Sequence, residues 1–158
     1  MKLLSIFLII TALISPSACL AQEASYRDQI AKLIDKTEEI DTFLRTSPID
    51  YVAYDRWYKE FREVNDKFLE DFYISHRQQK SFQAVREGAN ELSLAWSMLY
   101  QAKYAEDQYQ ESITTNAIDY AHKWKATEME EQKKAVDELN KATSAFRRAK
   151  EALSSEGD

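Results

Sequence analysis

The stretch SFQAVREGANELSLAWSML, residues 81–99, decides the fold. Its apolar residues recur at alternating steps of three and four, a spacing that gathers them on one face of an α-helix as a heptad seam. These residues are Phe82, Val85, Ala89, Leu92, Trp96 and Leu99. Because such a seam is buried only against other helices, the pattern predicts a helix that packs against helical neighbours.

The same helical spacing continues on both sides of this stretch. After position 21, the only proline and glycines are Pro48, Gly88 and Gly157. All-β folds need frequent turn residues, which are missing here. The composition therefore predicts an all-α protein.

Four helices are expected after residue 21. Helix A is predicted over Glu23–Arg45. Helix B is predicted to begin at Ser47 and Pro48, because Ser47 can cap the exposed N–H groups and proline suits the first helical position. The polar stretch Ser75–Lys80 is expected to end helix B. Helix C then begins near Ser81.

The boundary between helices C and D decides the architecture. The segment Ser112–Asn116 has low helix propensity, and Asn116 with Asp119 can cap a new helix, which favours a break. Against a break, the apolar residues keep the same helical spacing through this segment. Separate helices predict an antiparallel up-down four-helix bundle. A continuous helix predicts an elongated three-helix coiled coil with a long C-terminal helix. We expect the bundle, over residues 22–153, followed by a disordered tail at 154–158.

The first 21 residues have the three parts of a secretory signal peptide. Lys2 supplies the positive charge, Leu3–Ile14 is apolar apart from two hydroxyl residues, and small residues follow Pro16. The apolar run is shorter than the roughly 20 residues of a membrane-spanning helix. The sequence therefore predicts a signal peptide at residues 1–21 and an exported protein, either periplasmic or secreted.

Two cleavage sites compete, and they differ in the fate of Cys19, the only cysteine. A cut after Ala21 removes Cys19 and leaves a soluble protein. Alternatively, Ser17-Ala18-Cys19 resembles the end of a bacterial lipobox, which implies lipidation of Cys19 and a membrane anchor. Pro16 stands where the lipobox has an aliphatic residue, so we favour the cut after Ala21.

Charge and motif content restrict the function further. The net charge of −6 argues against nucleic acid and anionic membrane surfaces as partners. The sequence has two histidines and contains neither a Gly-x-Ser-x-Gly motif nor a glycine-rich phosphate loop. We therefore expect a non-enzymatic protein without a cofactor.

One carboxylate–imidazole pair, Asp119 and His122, stands one helical turn apart, as in di-iron bundles. Those bundles use two Glu-x-x-His motifs, whereas this chain has one such pair, with aspartate. We therefore predict no metal site and keep these two residues as the candidate ligands. The composition also offers possible haem ligands, namely His76 or His122 with Met98 or Met129.

Aromatic residues are unusually dense, with eight between Tyr51 and Tyr73. Most fit helical seams and are expected in the core. Tyrosine is amphipathic and favoured at protein interfaces, and some tyrosines exceed what a four-helix interior holds. The predicted protein-contact residues are Tyr54, Tyr58, Tyr100 and Tyr104.

These features together predict an exported, non-enzymatic helical protein of the bacterial envelope or exterior. Its partner is expected to be another protein or a second copy of itself. The alternative is a periplasmic chaperone-like protein that shields unfolded clients in aromatic-lined grooves. A metal- or haem-binding bundle is the third possibility.

Overall fold

The computed structural model describes residues 16–156, with side chains from Leu20 onward. Within this range the chain is all-helical, with no strand, and neighbouring helices pack on one another. No helix in the described part is long and apolar enough to cross a membrane. The five helices are α1 (Pro16–Thr37), α2 (Ile40–Leu44), α3 (Tyr51–His76), α4 (Lys80–Thr114) and α5 (Ile118–Ser155).

The predicted helix A is in fact two helices. Helix α1 ends at Thr37, whose hydroxyl donates to the Ile34 carbonyl at 2.6 Å. Such a bond competes with the regular helical ladder and favours a helix end. Helix α2 follows after two residues. At its other end α1 begins at Pro16, so it runs through the predicted cleavage site; residues 1–15 of the predicted signal peptide lie outside the described residues.

The prediction of Ser47 as the cap of helix B was wrong, because Asp50 caps α3. Its Oδ1 accepts hydrogen bonds from the backbone N–H groups of Val52 at 2.8 Å and Ala53 at 3.1 Å. A carboxylate in this position satisfies two N–H groups that have no partner within the helix. Pro48 therefore lies in the loop before α3 and not at its first position.

Helices α4 and α5 are separated by a tight turn at residues 115–117. Asn116 has φ of 55°, in the left-handed region that asparagine tolerates. The N–H of Ala117 donates to the Ser112 carbonyl at 2.8 Å, and that of Asn116 to Ile113 at 3.0 Å. This pair of bonds is a Schellman motif, which ends a helix. The continuous helix of the three-helix alternative is therefore wrong, and Asn116 forms the turn instead of capping α5.

A ladder of small residues lets α4 and α5 pack closely as an antiparallel pair. Helix separation depends on the side chains at the contact, and small ones permit the nearest approach. The buried small residues repeat every seven positions on both helices, with Glu128 occupying one step on α5. They are Ser81, Gly88, Ala95 and Ala102 on α4, and Ala121, Ala135, Ala142 and Ala149 on α5.

Helices α1 and α3 cover one half of this pair. Side-chain contacts link Gln29 of α1 to Asp71 of α3, and Tyr54 of α3 to the Leu92 carbonyl of α4. The guanidinium of Arg27 donates to the carbonyl of Leu153 on α5 at 3.1 Å. The apolar interior between the four long helices is rich in fully buried rings, among them Tyr26, Tyr54, Phe61, Phe68 and Phe82.

Helix α5 extends two residues beyond its predicted end at Leu153. The carboxylate of Glu156 then accepts hydrogen bonds from both the backbone N–H and the hydroxyl of Ser81. The expected disordered tail is therefore wrong for residues 154–156, because the end of α5 is tied to the start of α4. Residues 157–158 lie outside the described residues.

Candidate contact surface on the α4–α5 arm

Coverage of the α4–α5 pair by the other helices ends near Tyr100 and Gln132. The side chain of Gln132 accepts from the Ile49 N–H at 3.0 Å and donates to the Ile49 carbonyl at 3.3 Å. These bonds fasten the loop before α3 across α5. On α4, the ring of Tyr51 meets Tyr100 edge-on at 5.9 Å. The hairpin beyond these two contacts, residues 101–131, is called the arm below.

The base of the arm lines cavities together with residues 44–52, and beyond this base the arm stands apart from the rest of the described chain. Hydrogen bonds, ion pairs and ring contacts of its side chains join residues within the arm or, in one case, Lys134 further along α5. The helical segment 101–114 is about 21 Å long at 1.5 Å per residue. The arm is therefore a projection of two helices that are held together by contacts between their own side chains.

Large apolar side chains are exposed along the arm and at its base. Each of these side chains is between 45% and 65% exposed. Exposed apolar side chains are normal when scattered singly, whereas a contiguous apolar patch of a few hundred Å² or more is typical of contact surfaces. The group comprises Tyr100, Tyr104, Ile113, Ile118, Tyr120 and Met129.

Rings and ion pairs order this surface. Tyr104 meets Trp124 edge-on across the hairpin at 5.9 Å. The ammonium of Lys125 lies 5.5 Å from the centre of the Tyr109 ring and 2.8 Å from Glu128. These contacts restrict the side chains that they join, and a restricted side chain loses less conformational entropy when it is buried.

A groove lies at the base of the arm, between α5 and the segment that joins α2 to α3. Its volume is about 590 Å³, and Leu44, Pro48, Ile49, Met129 and Val136 supply its apolar lining. The charged rim comprises Lys125, Glu128 and Lys133. We call this cavity the base groove. An apolar floor with a charged rim is the arrangement typical of protein interfaces, in which an apolar centre is surrounded by polar groups.

The four predicted contact tyrosines divide into two pairs. Tyr54 and Tyr58 are buried, and the Tyr54 hydroxyl donates to the Leu92 carbonyl at 3.0 Å, so their predicted exposure was wrong. The interior holds these rings because they stack on one another, with centroids 6.1 Å apart. Tyr100 and Tyr104 are half-exposed at the base of the arm, and their role in protein contact stays a prediction.

The candidate metal and haem ligands lie in different surroundings. Asp119 and His122 are exposed on the arm, and the described residues contain no group of three or more metal-ligating side chains. His76 is buried, with Nδ1 2.7 Å from the Ser75 hydroxyl and Nε2 3.3 Å from Glu23. Both of its nitrogens thus have protein partners.

Of the candidate haem methionines, Met98 is half-buried in α4 and Met129 is exposed. Cys19, the candidate lipidation site, lies in the first turn of α1, and its lipidation stays a prediction.

The chain Ser75–His76–Glu23 has the residue types of a hydrolytic triad. Ser75 lies in the last turn of α3, where its hydroxyl is also 3.4 Å from the Phe72 carbonyl. A nucleophilic serine needs N–H donors aimed at the space beside it, whereas N–H groups within a helix are used in the helical ladder. The arrangement is consistent with a packing contact between α1 and α3.

Two features that define the arm were not predicted from the sequence. The seven-residue ladder of small side chains was visible in the sequence and predicts the close α4–α5 pairing. The bonds between Gln132 and Ile49 had no sequence signal, because the residues are 83 positions apart. Comparison with protein-family models, curated proteins and solved structures gave no match. Function is therefore inferred from the residues and their geometry.

Proposed function

We propose that this chain is an exported, non-enzymatic helical protein that acts through protein–protein contacts, with the arm as its contact surface. The observation that carries the proposal is the group of half-exposed apolar side chains on the arm, which extends beyond its contacts with residues 44–52. Aromatic residues and methionine are enriched where proteins bind one another.

The proposed architecture is an antiparallel up-down four-helix bundle from which the arm extends. Helix α1 packs on α3 and α5, α3 on α4, and α4 on α5. This is the neighbour order of an up-down bundle. The bundle supplies a rigid base, so that the arm presents its side chains at a fixed place relative to the base groove.

The proposed location is the bacterial envelope or exterior. It is supported by the charge, apolar run and small residues of segment 1–21. Intact mass of the protein recovered from a fractionated host tests this part. A mass beginning at Gln22 indicates cleavage after Ala21, a lipid-modified mass beginning at Cys19 indicates a lipoprotein, and an unprocessed mass in the cytoplasm contradicts export.

Site-specific photo-crosslinking in cells tests the contact surface. A benzophenone amino acid is placed at Tyr104 or Tyr120 on the arm and, as a matched control, at Ile74 on α3, which is 89% exposed. We expect a discrete cross-linked protein species from the arm positions only. Equal cross-linking from Ile74, or none from any position, contradicts the proposal.

Tyrosine-to-serine variants show whether the contact depends on the aromatic rings. Tyr120→Ser is expected to remove most of the cross-linking from position 104. It should change the free energy of unfolding by no more than about 0.5 kcal/mol, because surface changes are usually that small. Tyr73→Ser on α3 is the matched control, since this ring is also partly exposed but lies outside the arm.

A chaperone-like role is the second candidate, and the base groove favours it. Methionine adapts to clients of different shape, and Met129 lines this groove. Because the aromatic residues of α3 are mostly buried, client binding would have to use the arm. Suppression of the aggregation of a model client, lost in Met129→Ser, would support this role; no suppression at several-fold excess would exclude it.

A further inference from the structure

Aromatic rings form a row on one side of the arm and its base. On α4 the row advances in steps of four residues, which keep successive side chains on one face of the helix. The ring of Trp96 stacks on that of Tyr100 at 6.0 Å, and Tyr104 meets Trp124 of α5 edge-on at 5.9 Å. Tyr120 precedes Trp124 by one turn and therefore lies on the same side of the hairpin. We call the surface formed by these five residues the aromatic face.

The negative charge of the chain is concentrated on the arm. Residues 101–131 contain three lysines and seven acidic residues, which give a net charge of −4. Since the whole chain has a net charge of −6, the rest of the chain, which is several times longer, contributes only −2. From 104 to 122 there are four acidic residues and neither lysine nor arginine. Electrostatic attraction to the arm therefore favours a partner surface of positive charge.

The acidic side chains that lack a lysine partner lie towards the tip of the arm. Five of the seven pair with lysines at 2.7 to 3.1 Å. The other two, Glu111 and Asp119, are exposed and form no ion pair within the described part of the chain. Glu111, which accepts a hydrogen bond from Gln108 at 3.3 Å, is seven residues after Tyr104 and so lies on the aromatic face. Asp119 immediately precedes Tyr120, so both uncompensated charges border the rings.

The rings of the aromatic face are suited to hold cations. The ammonium of Lys123 lies 5.5 Å from the centre of the Tyr120 ring, a distance at which a cation and a ring attract one another. Tyr100 and Tyr104 are 54% and 52% exposed, and no cation of the described residues lies over either ring. Because Lys123 already covers Tyr120, a partner's cations would bind these two rings. Arginine is the side chain that most often does so, and it is enriched at protein interfaces.

We infer that the protein partner of the arm docks a basic segment on the aromatic face, with arginine or lysine side chains over Tyr100 and Tyr104 and close to Glu111 and Asp119. This inference rests on the proposed function and adds the chemistry of the partner. Exposed rings alone would suit any apolar segment. The acidic residues select against an acidic segment, because like charges brought together at an interface weaken binding.

Fluorescence anisotropy of labelled peptides tests this charge preference on the full chain, with its N-terminus as processed in the cell. The probe is a peptide of about 18 residues, or five helical turns, with leucine on one face and arginine on the other. Its counterpart has glutamate in place of arginine. We expect saturable one-to-one binding of the arginine peptide, weakened at least about fivefold when salt rises from about 20 mM to about 300 mM. No binding of the arginine peptide, or equal binding of both peptides, overturns the inference.

Charge reversal localises the binding. Glu111→Lys combined with Asp119→Lys should weaken binding of the arginine peptide about tenfold, because attraction becomes repulsion at two positions. The fold should persist, since a positive charge suits the last turn of α4 and only mildly disfavours the first turn of α5. The matched control is Glu63→Lys with Glu70→Lys on α3, where both residues are exposed. An equal loss in this control would show attraction by net charge alone and would overturn the inference.

Removal of one ring tests the contact with cations. Tyr104→Leu keeps an apolar side chain and removes the ring face, so the arginine peptide should bind about threefold more weakly. Tyr73→Leu on α3, where the ring is 42% exposed outside the arm, is the matched control and should leave binding unchanged. Unchanged affinity of the Tyr104→Leu variant contradicts the placement of the partner's cations.

Mapped cross-links in cells distinguish this inference from the proposed function. The protein species that is cross-linked to a benzophenone amino acid at position 104 is digested, and the attached segment is identified by mass spectrometry. A segment in which lysine and arginine outnumber acidic residues supports the inference. A neutral or acidic segment overturns it and leaves the proposed function standing, whereas the absence of any cross-linked protein contradicts both.

Discussion

Replacement of Gly88 by alanine tests the close approach of α4 and α5. Gly88 is buried, and a Cβ at this position would be 2.7 to 2.9 Å from three ring atoms of Phe146. Contacts between carbon atoms are comfortable at about 3.5 to 4.0 Å, so either the ring or one of the helices must move. The Phe146 ring is only 2% exposed and meets Phe61 edge-on at 5.8 Å, which leaves it little space to move into.

Two opposing effects set the magnitude of this change. Alanine in place of glycine favours a helix interior by about 1 kcal/mol. Overpacking of a close-packed core costs about 1 to 3 kcal/mol. We therefore expect Gly88→Ala to lower the free energy of unfolding by about 1 kcal/mol on balance. Urea denaturation followed by circular dichroism measures this difference.

A double-mutant cycle separates the two effects. In a Phe146→Leu background the ring atoms are gone, so the same Gly88→Ala change should be neutral or stabilising. Asn90→Ala, at an exposed position of the same helix, reports helix propensity alone. The close approach of the helices is refuted if Gly88→Ala stabilises the otherwise unchanged protein, or if its effect is the same in both backgrounds.

Three further predictions concern the packing of the bundle. A hydrogen bond between Glu91 and Glu138 raises the pKa of Glu91 and lowers the pKa of Glu138, so the two carboxyl groups change the pH dependence of stability in opposite directions. The contribution of Glu91 is present below its ordinary pKa of 4.5 and is lost as pH rises through its raised pKa. Glu91→Gln should remove this part of the pH dependence, and an unchanged slope in urea denaturation between pH 4.5 and pH 7 would contradict it. Gln132→Ala breaks both bonds to Ile49 and should cost about 1 to 3 kcal/mol, with faster hydrogen exchange of the Ile49 amide; equal exchange rates would show that the loop is held otherwise. Burial raises the pKa of Tyr26 to about 12, so its contribution to stability is complete below pH 10 and is lost as pH rises towards 12. Tyr26→Phe should make the unfolding free energy less dependent on pH in that range, and equal dependence would argue against burial as the cause.

Local patterns in the sequence were sufficient for the helical architecture of the described residues. The heptad seam of residues 82–99 predicted the buried face of α4, and Phe82, Val85, Leu92 and Leu99 are fully buried there. Low helix propensity at 112–116 located the break between α4 and α5. These features could be predicted because helical periodicity and turn chemistry act over a few neighbouring residues.

Predictions failed where two local signals competed. Ser47 and Asp50 are both good caps, and only the structure shows that Asp50 accepts the N–H groups of α3. Tyr54 and Tyr58 had the same apolar spacing as core residues and the same chemistry as interface residues. Burial depends on which helices surround a side chain, and that information is distributed over distant parts of the chain.

The sequence by itself determined that the described residues are helical and that α4 and α5 are separate, whereas the export signal at residues 1–21 stays a prediction. The tertiary structure alone decided how far α1 and α3 reach along the α4–α5 pair. Coverage stops at Tyr100 and Gln132 because α3 begins at Tyr51 and its preceding loop is fastened to α5. Such contacts join residues that are dozens of positions apart, so no local pattern encodes them. They leave residues 101–131 as an exposed arm.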